Sequence, residues 1–235
     1  MKLNGETVDK KWLAARVEHV IWDNDKKILT DEVTKGIEYG FRTIYSPSHY
    51  WHSYVADMLK GTGIRLATPI NFKDGLVPAE AAAKQAELAE KAGVNTIDLY
   101  PDMAAYSMRN WDALAKYVRI VRQSFSGEIK VLTMCNDSLD DMYHQVEAIK
   151  EGGADFVKAY DYNKLGCPLS RIKQLKAKCD EVGLRLKASG NGKYWTTAII
   201  MGAYAAGAEC ISASNSFQIV DDLPVLLELF AKYEM

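Results

Sequence analysis

Short apolar runs alternate with amphipathic stretches along the whole chain. The apolar runs are rich in β-branched and aromatic residues, as buried strands are. They predict eight strands, at 16–22, 42–46, 65–70, 96–100, 129–134, 155–160, 185–189 and 210–214. The intervening stretches have helical spacing and predict helices at 29–40, 48–61, 77–93, 110–127, 138–153, 168–183, 193–207 and 216–233.

Several predicted helices end in the same short pattern. In "EKAGVNTIDL", "KEGGADFVKA", "DEVGLRLKA" and "YAAGAECISA", a helix is followed by a glycine, a short turn and a strand. Eight such β–α units in 235 residues predict a single-domain (β/α)8 barrel over 1–235, with 1–14 as an N-terminal arm or helix. A doubly wound sheet is the alternative, but closure suits this number of units better.

The composition is that of an ordinary globular protein, with 48% hydrophobic and 26% charged residues. A net charge of −2 gives no electrostatic reason to expect a nucleic-acid or membrane partner. No apolar run is long enough to span a bilayer, and the first residues are too polar for a signal peptide. The four cysteines lie far apart and predict reduced thiols in a cytoplasmic protein. The spacing of histidines and cysteines predicts no metal site.

Three charged residues interrupt the predicted buried strands. They are Asp98 in the fourth strand, Lys158 in the sixth and Lys187 in the seventh. A buried ammonium is costly unless it is paired or has lost its proton. A neutral lysine attacks carbonyl groups, and both burial and a neighbouring cation favour the neutral form. Lys187 is the candidate neighbour of Lys158, and Asp98 is a candidate proton carrier. The alternative is a set of solvated charges or an ion pair across the barrel.

The stretches around these residues resemble the deoxyribose-phosphate aldolases, which are class I aldolases on a (β/α)8 barrel. "GADFVKAYDY" (153–162) is similar to the stretch that carries the family's Schiff-base lysine. "LRLKASGNG" (184–192) is similar to the strand with the second lysine, and "NTIDLYPDM" (95–103) to the strand with the catalytic aspartate. The resemblance implies these roles for Lys158, Lys187 and Asp98. It also implies reversible cleavage of 2-deoxy-D-ribose 5-phosphate to acetaldehyde and glyceraldehyde 3-phosphate, without a metal or organic cofactor.

The differences from the family lie in the loops expected to bind phosphate. "AYDYNK" follows the lysine where the family has small hydroxyl residues and glycine, and it introduces Asp161. The resemblance implies phosphate- or substrate-binding positions at Gly190, Asn191, Lys193, Ser212, Ser214 and Asn215. Lys164 is a further candidate cation. These changes leave two alternatives open: a Schiff-base aldolase or lyase for a different or unphosphorylated aldehyde or sugar, and a non-catalytic sugar-phosphate-binding barrel.

Other positions have weaker expected roles. His19 is expected to be a structural hydrogen-bonding residue, and Trp22 and the aromatic segment 45–54 either narrow the mouth of the site or pack elsewhere. Tyr233 stands near the C-terminus, where some relatives carry a tyrosine that aids proton transfer. A small aldehyde or sugar phosphate is the expected partner, and a homodimer is possible.

Overall fold

The N-terminal segment contains both a hairpin and a short helix. Strands β1 (Lys2–Leu3) and β2 (Glu6–Thr7) pair in antiparallel fashion, and helix α1 (Lys10–Ala14) follows. The side chain of Asp9 accepts a hydrogen bond from the Trp12 amide and caps this helix. The computed structural model describes residues 2–3, 5–46, 48–73, 75–160, 166–190 and 194–233.

The eight predicted strands form one closed parallel barrel, so the prediction of a (β/α)8 fold is confirmed and the doubly wound alternative is wrong. Each strand pairs with the next in sequence, and the last pairs with the first. The barrel strands are β3 (Val17–Val20), β4 (Thr43–Tyr45), β5 (Arg65–Ile70), β6 (Thr96–Leu99), β7 (Glu128–Met134), β8 (Phe156–Tyr160), β9 (Arg185–Ser189) and β10 (Cys210–Ala213).

Helices cover the outside of the barrel. They are α2 (Lys26–Tyr39), α3 (His52–Met58), α4 (Ala79–Lys91), α5 (Met103–Ser107), α6 (Trp111–Arg122), α7 (Leu139–Glu151), α8 (Leu169–Val182), α9 (Thr197–Ala205), α10 (Ser216–Asp221) and α11 (Leu223–Tyr233). A 3-10 turn at His49–Trp51 precedes α3. No helix within the described ranges is both long and apolar enough to cross a membrane.

Helix boundaries follow local capping chemistry. Helix α7 begins after Ser138, whose side chain accepts a hydrogen bond from the Asp141 amide. Helix α2 begins three residues earlier than its predicted range because Asp25 caps the amides of Lys27 and Ile28. It ends at Gly40, whose φ of 71° is a left-handed conformation that glycine adopts without strain.

The two faces of the barrel strands carry different kinds of side chain. Side chains alternate between the two faces of a strand. In β6, Ile97 and Leu99 belong to the apolar core between strands and helices, whereas Thr96 and Asp98 bond to interior lysines. Strand β6 therefore turns its polar and charged side chains into the barrel and its apolar side chains toward the helices.

His19 faces the helices, where Nε2 lies 3.1 Å from Glu32 Oε2 and the ring packs on Phe41 and Phe217, so its structural role is confirmed.

The prediction of reduced thiols is wrong for Cys135 and Cys167, which form a disulfide. These cysteines follow the neighbouring strands β7 and β8, and the barrel brings their Cα atoms within 5.8 Å. Cys179 and Cys210 are free and buried.

Candidate active site

The three charged strand residues meet inside the barrel. Lys158 and Lys187 are register partners on the adjacent strands β8 and β9. Lys158 Nζ donates to Asp98 Oδ2 at 2.8 Å. Lys187 Nζ lies 2.9 Å from Oδ1 and 2.8 Å from Oδ2 of the same carboxylate. One carboxylate from β6 thus holds two ammonium groups from β8 and β9.

The two lysines have opposite pKa shifts. Burial lowers the pKa of Lys158, Asp98 partly offsets this effect, and the nearby Lys187 charge lowers the pKa further, so the net pKa lies below the ordinary lysine value. Burial also acts on Lys187, but Asp98 and Glu18 outweigh it and raise the Lys187 pKa. Lys187 therefore keeps its proton, and Lys158 is the lysine that more readily becomes a free amine.

A ladder of alternating charges continues below Lys187 through the barrel interior. Glu18, on β3, accepts a hydrogen bond from Lys187 and lies 3.0 Å from Lys130 Nζ. Lys130 in turn lies 2.9 Å from Glu128 and donates to Thr96 Oγ1 at 2.6 Å. Glu18, Lys130 and Lys187 are completely buried. We call this set, from Lys158 to Glu128, the charge ladder.

The lower half of this ladder was not predicted from the sequence. Lys130 lies in the predicted strand 129–134, Glu128 just before it and Glu18 in the predicted strand 16–22, and none of the three was expected to be a site residue. The available signal was the alternation of charges at Glu128 and Lys130 in an otherwise apolar strand. Because inward and outward positions alternate, both charges fall on the inner face.

A cavity of about 310 Å³ opens above Lys158 at the carboxyl ends of the strands. Lys158 and Asp98 lie at its floor, as expected for a barrel site. Ser189, Gly190, Ser212 and Ser214 line one part of its wall.

Aromatic side chains form another part of the cavity wall. The ring centroids of Trp22 and Phe72 are 5.7 Å apart, and those of Phe72 and Tyr100 are 5.2 Å apart. Tyr100 lies 6.1 Å from Tyr160, the second residue after Lys158. Of the aromatic residues in 45–54, Tyr45 lines the cavity. We call Trp22, Phe72, Tyr100 and Tyr160 the aromatic wall.

Only some of the predicted phosphate-binding residues that the structure describes line the cavity. Gly190, Ser212 and Ser214 line the cavity. Asn215 does not line it, and its Nδ2 donates to the Trp195 carbonyl at 3.1 Å. The other predicted positions, namely Asn191, Lys193, Asp161, Lys164 and the side chain of Tyr233, lie outside the described residues.

Metal ligands do not cluster in the part of the chain that the structure describes. No group of three or more histidine, cysteine, aspartate and glutamate residues there could hold a metal ion. The functional groups at the cavity floor are the Lys158 amino group and the Asp98 carboxylate, which suit covalent and proton-transfer chemistry.

No protein-family model matches the sequence, but individual proteins do. A deoxyribose-phosphate aldolase of Dictyoglomus turgidum is 26% identical over 216 residues, which cover 90% of this chain and 97% of the relative. One from Aciduliprofundum boonei is 27% identical over 230 residues, covering 93% and 100%. The solved structure of a putative deoxyribose-phosphate aldolase from Coccidioides immitis superposes with a TM-score of 0.85 at 22% identity, covering 93% and 88%.

The barrel, its lysine-lined cavity and these relatives define an enzyme of the aldolase class. Within that class, the chain is a divergent relative of the deoxyribose-phosphate aldolases, 26–27% identical to these two over most of its length.

Proposed function

We propose that the protein is a class I aldolase that uses Lys158 as its Schiff-base nucleophile. The observation that carries this proposal is the position of the Lys158 amine: it lies at the cavity floor, bonded to Asp98, with its pKa lowered by burial and by Lys187. The relatives support 2-deoxy-D-ribose 5-phosphate as the substrate of first choice.

In the cleavage direction, the neutral Lys158 amine attacks the aldehyde carbon C1 of the open-chain sugar. Loss of water from the carbinolamine gives a protonated imine, which serves as the electron sink. Deprotonation of the C3 hydroxyl breaks the C2–C3 bond and releases glyceraldehyde 3-phosphate, and the bonding electrons form an enamine. Protonation of the enamine at C2 and hydrolysis of the resulting imine release acetaldehyde and regenerate the amine.

Asp98 and Lys187 have complementary proposed roles in this sequence. Asp98 is close enough to Lys158 to exchange protons with the reacting groups through a water molecule. Lys187, which keeps its proton, donates hydrogen bonds to the Asp98 carboxylate. Its positive charge lowers the pKa of Lys158. We propose no metal or organic cofactor, since the imine supplies the electron sink.

The pH dependence of acetaldehyde release tests this function. Because only the neutral Lys158 amine attacks, kcat/KM for 2-deoxy-D-ribose 5-phosphate should rise with pH and level off above the Lys158 pKa. Removing the neighbouring cation in Lys187→Met should move this acid limb to higher pH, by about one pH unit, and lower the plateau. Acetaldehyde is measured by coupled reduction with alcohol dehydrogenase.

An exposed lysine provides the control for that profile. Lys116→Met, on the outer face of α6, should leave the profile unchanged. A limb that stays in place, or moves to lower pH, in Lys187→Met would contradict the proposed coupling of the two lysines. Absence of acetaldehyde release from the wild-type protein at any pH would contradict this substrate.

The aromatic wall favours a second candidate function, aldol chemistry on an unphosphorylated aldehyde with an apolar body. Trp22 is 52% exposed and Phe72 is 48% exposed, although both are large apolar side chains at the cavity mouth. Covering such surface with an apolar substrate is favourable, at about 25 cal/mol per Å². Aromatic rings also favour edge or offset contacts with an aromatic partner.

Replacing both exposed members of the aromatic wall should change acceptor preference. In Trp22→Ser/Phe72→Ser, we expect kcat/KM for addition of acetaldehyde to benzaldehyde to fall about tenfold or more. The value for glyceraldehyde 3-phosphate should change by less than about threefold, because that acceptor has little apolar surface. Tyr50→Ser is the matched control, since Tyr50 is 75% exposed and lies outside the cavity lining. An equal loss for both acceptors would contradict this second function.

Other properties stay as proposals. We infer a single domain over 1–235, a small-molecule substrate rather than a nucleic acid or membrane, and a possible homodimer. We also propose a cytoplasmic location. The cysteines no longer support this location, because Cys135 and Cys167 form a disulfide.

A further inference from the structure

A second cavity lies at the opposite end of the barrel, at the amino-terminal mouth. It measures about 470 Å³. Arg65 and Arg185, the first residues of β5 and β9, lie on its wall together with Arg42, just before β4. The cavity shares no lining residue with the one above Lys158.

The three arginines share one carboxylate. Arg42 Nη2 lies 3.2 Å from Glu128 Oε1, and Arg65 Nη1 and Arg185 Nη2 lie 2.6 and 3.0 Å from Oε2. Glu128 also contacts Lys130, so four cations surround one anion. The Glu128 pKa is accordingly held far below its usual range: burial would raise it, but Lys130 and Arg42 outweigh that effect.

Positive charge is therefore in excess at this mouth. Among the described residues nearest this mouth, four cations face two carboxylates: Arg42, Arg65, Arg185 and Lys130 against Glu128 and Glu18. Loss of the Lys158 proton removes one positive charge, but at the far end. Two more basic residues on the rim have their own acids, Arg16 with Glu6 and Lys176 with Asp180. One more acid, Glu209, lies on the rim, and its single negative charge does not cancel the excess positive charge at this mouth.

Arg65 and Arg185 have donors left over for a ligand. Their side chains are 40% and 43% exposed, whereas that of Arg42 is only 17% exposed. Each guanidinium has five N–H donors, and among the described residues each contacts one carboxylate oxygen. The Arg185 guanidinium is also held 4.0 Å above the Phe156 ring, which fixes its plane. Two guanidinium groups that are anchored on the same Glu128 oxygen and keep further donors suit a tetrahedral oxyanion.

We propose that this amino-terminal mouth is a binding site for a phosphate-type dianion, held between Arg65 and Arg185. The cavity is larger than an inorganic phosphate, so it also admits a small phosphate monoester. The site does not depend on the proposed aldolase function, because none of its residues lines the cavity above Lys158.

Calorimetric titration with inorganic phosphate, at constant ionic strength in sodium chloride, tests the site. The wild-type protein should bind phosphate at a site that Arg65→Gln/Arg185→Gln loses, with affinity at least about tenfold lower in that variant. Arg109→Gln/Arg119→Gln removes the same charge from two exposed arginines that are also paired with carboxylates, and it should bind like the wild type. Titration with glycerol 3-phosphate distinguishes a site for free phosphate from one for its esters.

Two further measurements distinguish loss of the binding site from loss of the fold. Circular dichroism in chloride checks that the double variant is folded. Arg185→Lys keeps the charge but removes the planar fork, and it should weaken phosphate binding by about tenfold. Phosphate affinity that is equal in the wild type, Arg65→Gln/Arg185→Gln and Arg185→Lys would overturn the proposal, as would absence of wild-type binding at about 10 mM phosphate.

Discussion

Replacement of Lys158 by methionine should reduce the retro-aldol rate on 2-deoxy-D-ribose 5-phosphate by about 10⁴-fold or more. Methionine has similar length and no amine, so it removes the nucleophile while filling the same space. Asp98 keeps its contacts with Lys187 in this variant. Because a buried ammonium is also lost, the unfolding midpoint should be no lower than that of the wild type. The rate is measured by coupled acetaldehyde detection, and folding by thermal unfolding.

Two comparisons make this result specific. Lys116→Met, an exposed substitution on α6, should keep the full rate. If Lys158→Met keeps more than about a tenth of the wild-type rate, the Schiff-base assignment is wrong. A loss of rate accompanied by unfolding would point to a structural role instead.

Replacement of Glu18 by glutamine should lower the free energy of unfolding by about 3–5 kcal/mol. Glu18 lies between Lys130 and Lys187, and none of the three side chains is exposed. Burial raises the pKa of Glu18, but Lys130 and Lys187 outweigh that effect and keep the carboxylate ionised. The variant leaves two buried ammonium groups without their shared counter-charge. Urea unfolding at neutral pH measures the difference.

A surface glutamate and a compensating variant serve as controls. Glu228→Gln removes an exposed partner of Lys232 four residues away, and it should cost less than about 0.5 kcal/mol. Lys130→Met added to Glu18→Gln should recover part of the loss, because the two residues interact directly. Equal costs for Glu18→Gln and Glu228→Gln would contradict the charge ladder as a source of stability.

The sequence predicted the barrel because its signals are local and repeated. Each strand is short and apolar, and each predicted range overlaps one strand of the closed barrel. The start of α2 was less predictable, since both Asp25 and Asp31 are plausible acids near a helix start and only the structure shows that Asp25 caps the helix.

The Lys158, Lys187 and Asp98 constellation was also predictable, because each of these charged residues lies inside a short strand that is otherwise mostly apolar. The lower half of the charge ladder was not predicted, since it depends on contacts between residues far apart in sequence, such as Glu18 with Lys130. The Cys135–Cys167 disulfide was missed for the same reason, as 32 positions separate the two cysteines.

The aromatic wall was only partly predictable. Trp22 was expected as a possible narrowing residue, and it does line the cavity. Phe72 follows β5 in a segment that gave no such signal, and its contact with Trp22 arises from barrel closure. The sequence therefore indicated the chemistry better than it indicated the shape of the acceptor site.

Borohydride trapping tests whether Lys158 forms the Schiff base. The protein is incubated with acetaldehyde, reduced with sodium borohydride, digested and analysed by mass spectrometry. We expect a stable two-carbon adduct on Lys158 in the wild type and in Lys116→Met, with no adduct at this position in Lys158→Met. An adduct on Lys187 or Lys130 in the wild type, with Lys158 unmodified, would show that Lys158 is not the Schiff-base nucleophile.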